Sequence, residues 1–118
     1  MDKNQKKCNL FSGKFILEQF RKFGSAMEQK HEMTFWIYFP SENKAQQAGI
    51  HAKNAGLNPQ IIPPRNESFD SQWLCLLYCS HVPDEEILDG ITGFCIDLAS
   101  DYGGVYDGWE SRLELNNN

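Results

Sequence analysis

No apolar run in the 118-residue chain exceeds seven residues, well short of the roughly 20 that a membrane-spanning helix requires. The first seven residues, Met-Asp-Lys-Asn-Gln-Lys-Lys, are polar, so the charged, apolar and small-residue series of a secretory leader does not open the sequence. Cysteine is sparse. The four stand at 8, 75, 79 and 95, with no Cys-x-x-Cys pair and no paired histidines of the zinc-finger kind, which removes the common thiolate-metal and dithiol motifs. No serine occupies a Gly-x-Ser-x-Gly elbow, and His31, His51 and His81 match no triad or metal spacing. Gly103-Gly104 is too short for a phosphate loop. There is no internal repeat, and no low-complexity tract beyond the closing Asn116–Asn118. Together these absences predict a soluble, intracellular protein whose cysteine pattern suits the reducing cytoplasm; they weaken an enzymatic reading, and no metal and no cofactor are expected.

What is present suffices for one domain. Hydrophobic residues make up 41% against 23% charged, a balance that supports a buried core and excludes disorder of the whole chain. The 8 Phe, 4 Tyr and 3 Trp supply much of the area to bury. The net charge of -5 is unevenly spread. Residues 1–35 hold seven Lys/Arg and four Asp/Glu, whereas residues 36–118 hold four and twelve. So acidic a body repels phosphate backbones, and direct nucleic-acid binding is not expected of it. The basic first segment reads as a solvated tail.

Helical spacing of Ile16, Phe20 and Phe23, with Ser12 as a cap and Gly24 as a stop, predicts a helix before residue 24. Residues 33–39 (Met-Thr-Phe-Trp-Ile-Tyr-Phe) are the strongest strand signal. They are β-branched and aromatic, and apolar on both faces, as a central strand requires. Ser41 caps a helix over residues 42–55 whose Ala45, Ala48, Ala52 and Ala55 let it lie close on a sheet, and Gly56 ends it. A short strand over residues 58–62 stops at Pro63-Pro64, and a polar turn follows over residues 65–70. Residues 71–81 form a second long, two-sided strand. Asp84, Glu85 and Glu86 then open a helix with the apolar stripe Ile87, Ile91, Phe94, Cys95, Leu98 and Tyr102. Residues 105–115 are the last strand, with Gly108 marking a bulge or a close backbone approach.

Strand, helix, strand, strand, helix, strand is the split βαβ order of an α+β, ferredoxin-like βαββαβ sandwich. It places a four-stranded antiparallel sheet under two helices, with an extra N-terminal helix. The first and third strands become central. The other sheet face carries Trp36 and Tyr38, and the leader helix is expected to cover it in part. Such a face resembles an RNA-stacking sheet, but the third strand has no Lys or Arg, so packing or an interface accounts better for these aromatics. Cys75, Cys79 and Cys95 read as small buried hydrophobes, and most carboxylates as a solvated face. Asp107 is expected to bond turn amides near Gly103-Gly104. Simple alternation turns Tyr106 and Glu110 outward and Trp109 into the core.

Gly104-Val105-Tyr106-Asp107-Gly108-Trp109-Glu110, after a helix ending Asp97-Leu98-Ala99-Ser100-Asp101-Tyr102-Gly103, resembles the C-terminal signature of the ribonuclease E inhibitor type B (regulator of ribonuclease E activity B) family. Phe35-Trp36-Ile37-Tyr38-Phe39, with the helix to Gly56, is similar to that family's first strand and helix. The resemblance spans roughly residues 35–114 and implies a ferredoxin-like fold; the chain divides into a basic leader with a helix (1–32), the ferredoxin-like domain (33–115) and a tail (116–118). The resemblance also implies a non-catalytic regulator whose protein partner is a ribonuclease of the ribonuclease E type. The candidate partner-binding residues are Tyr106, Asp107, Glu110 and Arg112. Two other readings remain on the same fold. A small-ligand or enzymatic domain requires a pocket uniting Asp107, a histidine and a cysteine; a homodimer requires a self-complementary edge or face.

Overall fold

A computed structural model describes residues 13–64 and 72–111. Along these residues run α1 (Gly13–Lys22), β1 (His31–Phe39), α2 (Glu42–Asn54), β2 (Asn58–Ile62), β3 (Trp73–His81), α3 (Glu85–Asp101) and β4 (Val105–Ser111). The Ser12 cap, Cys8, the 65–70 turn, Arg112 and the strand positions after Ser111 lie outside the described residues.

Period-two alternation in β1 seals one face completely: His31, Met33, Phe35, Ile37 and Phe39 are buried, and Thr34, Trp36 and Tyr38 are half-buried opposite them. A strand apolar on both sides must lie inside a sheet. β1 does, in an antiparallel sheet of order β2-β3-β1-β4, so β1 and β3 are the central pair. Phe35 pairs with Leu77 on one side and Trp109 on the other, which stacks large side chains across the buried face. The expected ferredoxin-like α+β fold is the one observed.

The helices lie on that buried face. Ser41 and Asp84 cap α2 and α3 by accepting from the Lys44 and Ile87 amides. Each of the three helices ends on a glycine of positive φ, at Gly24, Gly56 and Gly103. The next amide then reaches back five residues, as from Gly104 to the Ala99 carbonyl at 2.7 Å, and satisfies carbonyls the helix would leave orphaned. Ala45, Ala48 and Ala52 of α2 are buried on the sheet, but Ala55 is exposed, so the small-residue stripe is one turn shorter than expected.

The stripe of α3 is rotated from the expected one. Leu88, Thr92, Cys95, Leu98 and Ala99 are fully buried, while Ile87, Ile91, Phe94 and Tyr102 sit at its margins. Thr92 enters the core because its hydroxyl donates to the Leu88 carbonyl at 2.9 Å, which removes the cost of burying it. The larger correction concerns α1. It does not lie on the open sheet face. Its Ile16, Leu17 and Phe20 join the common core, and it packs along α3 on the helix side. The face carrying Trp36 and Tyr38 therefore has no described helix over it.

Candidate functional site

The resembling segment lies on β4, an edge strand, and its geometry turns on one irregularity. Trp36 pairs with Gly108, but Ile37 pairs with Tyr106, so Asp107 is an extra residue opposite the step from Trp36 to Ile37. Gly108 has φ +112, a conformation that side-chain-bearing residues rarely adopt. The bulge expected at this glycine is present, and it reverses the alternation of the strand. Tyr106 and Trp109 both fall on the buried face, opposite Ile37 and Phe35.

The outward placement of Tyr106 is thus corrected. Its hydroxyl is buried, and burial, with the nearby Cys95 thiol adding to it, pushes its pKa far above the usual phenol range. Trp109 is half-buried and meets the Phe20 ring edge-on, with centroids 5.6 Å apart. Glu110, opposite Thr34, is exposed on the other sheet face, and Asp107 is exposed at the bulge. Asp107 does not bond the turn at Gly103-Gly104, because those amides already donate to the Ser100 and Ala99 carbonyls. Of the four sequence-expected site residues, the structure brings Asp107 and Glu110 to the surface and turns Tyr106 inward; Arg112 lies outside the described residues.

A groove of about 580 Å³ runs between α1 and β4 beside this segment, lined by Phe15, Gln19, Phe20, Phe23, Trp109, Glu110 and Ser111. Phe15 and Gln19 on α1 and Phe23 just past its end repeat at four-residue steps, a spacing that could have marked a helix face. The sequence does not say which strand that face meets. The groove holds neither histidine nor cysteine, so it does not unite Asp107 with either.

α3 and β4 are one-signed, while α1 across the groove is basic, with Lys22 over the Phe23 ring at 5.8 Å. Residues 84–111 carry eight carboxylates, all exposed, and no Lys or Arg. The four strands, within their described bounds, contain no Lys or Arg at all.

Other chemistry-bearing groups serve the interior. His31 is fully buried under Phe20. Its Nε2 contacts the Ser25 hydroxyl at 2.6 Å and its Nδ1 the Gln29 carbonyl at 2.9 Å. With Nδ1–H donating to Gln29, Nε2 accepts from Ser25, and the ring ties the α1–β1 connection to the sheet. Burial pushes the Cys75 and Cys79 thiols up to about 11, and Cys95 higher still. Such thiols are poor nucleophiles and poor ligands. Among the described residues, no three His, Cys, Asp or Glu side chains converge as a metal would require, and no helix is long and apolar enough to cross a membrane. The arrangement is suited to binding: an aromatic groove and an acidic, bulged edge strand on a rigid core.

Comparison with known proteins bears out the family resemblance. The family model described as RraB, regulator of ribonuclease activity B, matches residues 12–111. No curated protein matches the chain.

Proposed function

Since the chain belongs to the family of regulators of ribonuclease activity B, we propose that it binds a ribonuclease of the ribonuclease E type directly and reduces RNA cleavage without performing catalysis itself. The single observation carrying this reading is the acidity of residues 84–111, which form α3 and β4: eight exposed carboxylates and no Lys or Arg in the stretch. A ribonuclease holds its substrate through basic surface, and a body of this charge is attracted to the same groups. Occupying them excludes the RNA backbone by competition. Asp107 and Glu110 are the contact residues we assign on β4. Tyr106 acts only by holding the strand in place, and Trp109 forms one wall of the groove beside them.

The test is a pull-down from cytoplasmic extract with the full chain as bait, with RNA cleavage measured in parallel. Recovery of a ribonuclease whose cleavage slows as the regulator is added supports the proposal. The Asp107→Asn/Glu110→Gln variant should recover less of it while keeping its fold. Cleavage that is unchanged at saturating regulator rejects it.

A further inference from the structure

The sheet face opposite the helices has a composition the ribonuclease reading does not explain by itself. Register places its side chains in rows across the strands: Ile62, Leu74, Tyr38 and Val105; then Gln60, Leu76, Trp36 and Gly108; then Asn58, Tyr78, Thr34 and Glu110; then Ser80 and Glu32. Aromatic rings thus stand at 36, 38 and 78. Among the described residues, the charges of this face are Glu32 and Glu110, both exposed, on the rows at one end. Tyr78 is 38% exposed, and its hydroxyl donates to Gln60 Oε1 at 3.0 Å, which fixes its ring beside the middle row. Gly108, directly across from Trp36, leaves no side chain between the indole and the β4 edge. Glu110 is the next residue on that face of β4, a diagonal neighbour of Trp36, within reach of a ligand that touches both.

A sheet that stacks nucleic-acid bases surrounds its aromatics with cations to hold the phosphates. Among the described residues of this face the aromatics are kept and carboxylates stand in place of the cations. A guanidinium fits this pairing: its plane stacks on an aromatic face while its N–H fork bonds a carboxylate. We propose that this sheet face is the docking surface for an arginine-rich segment of a protein partner, with Trp36, Tyr38 and Tyr78 as stacking platforms and Glu32 and Glu110 as ion partners. The proposal rests on the ribonuclease-binding reading and names the surface and the partner chemistry for it. It concerns the side of the sheet away from the helices.

The experiment uses the full chain, a fluorescent arginine-rich peptide, the same peptide with every arginine replaced by lysine, and a single-stranded RNA. Anisotropy measures affinity, and amide chemical shifts locate the site. The arginine peptide should bind and shift the amides of β1, β3 and β4. The lysine peptide should bind more weakly, on the order of tenfold, because an ammonium lacks the planar stacking fork. Glu32→Gln and Tyr78→Thr, both at exposed positions, should each weaken the arginine peptide several-fold, whereas Glu42→Gln, exposed on α2, should not. Trp36→Val should have the largest effect; if it fails to fold, Tyr78→Thr decides the matter. No binding of the arginine peptide, shifts confined to α3, or RNA bound on the same face overturns the proposal. If ribonuclease is captured and inhibited equally by wild type and by Glu32→Gln/Tyr78→Thr, the sheet-face assignment fails while the regulator reading stands.

Discussion

The Gly13 amide donates to the Asp89 carboxylate at 2.5 Å, joining the first residue of α1 to the first turns of α3. The same contact explains why position 13 has no side chain. A Cβ there would stand 2.9 Å from the Asp89 amide nitrogen and would overlap the Glu85 carbonyl, both of them backbone. Gly13→Ala must push α1 off α3 and should cost about 1–3 kcal/mol, as overpacking does. Asp89→Ala removes the acceptor for an otherwise orphaned helix amide and should cost about 1 kcal/mol. Urea denaturation of the two variants and of their combination checks this, and the double variant should lose less than the two costs added.

Trp109 and Phe20 link β4 to α1 by an edge-to-face contact. Because Trp109 is half-buried and lines the groove, Trp109→Ala should cost about 2–3 kcal/mol, less than the ~3–5 expected of a fully buried ring. A cycle with Phe20→Leu should show a coupling of about 0.5–1.5 kcal/mol between the rings. A coupling near zero would mean that the ring contact does not help hold α1, leaving its other anchors, among them Ile16, Leu17 and the Gly13–Asp89 bond, to do so.

Much of this architecture was legible from spacing. The period-two runs at 33–39 and 73–81 and the small-residue helix before Gly56 carry their own signals, and the two-sided apolarity of β1 and β3 gave their central position. What could not be read were relations between elements. Ile16, Leu17 and Phe20 mark α1 as amphipathic, but nothing local says whether its apolar face meets the open sheet or α3. The α3 stripe was displaced because Ile87 and Ile91 outweigh Thr92 on any hydropathy scale, and Thr92 becomes a core residue only through its bond to the Leu88 carbonyl. At the candidate site the decisive signal is the Gly108 bulge, which reverses the face of the residues before it relative to those after it. Simple alternation therefore places Tyr106 on the side opposite the one it takes.

The thiols under α3 give a pH dependence of definite sign. Cys75 and Cys79 titrate near 9.0 when free of the fold and near 11 within it. Between these values the unfolded chain has released protons that the native state still holds, so stability falls as pH rises; below 9.0 the contribution is complete. The urea midpoint should therefore drop across this window, and Cys75→Ala should flatten the drop. In the native protein at neutral pH, Cys75 and Cys95, both fully buried, should resist a thiol reagent until urea unfolds the chain.

Gly108 offers the sharpest separation between fold and function. Its φ of +112 penalises any side chain, so Gly108→Ala should destabilise by about 1–3 kcal/mol. The chain has one way to relieve that strain, which is to remove the bulge and let β4 pair without the extra residue. Tyr106 would then leave the core face, and Asp107 would enter the ladder. Amide exchange of β4 should consequently rise more than that of β1 or β3. Binding of the ribonuclease should weaken more in Gly108→Ala than in Asp107→Asn, which removes one charge and leaves the strand in place. If Gly108→Ala binds as well as wild type once the difference in folded fraction is accounted for, the bulge serves only to close the sheet edge, and Asp107 has no role in recognition.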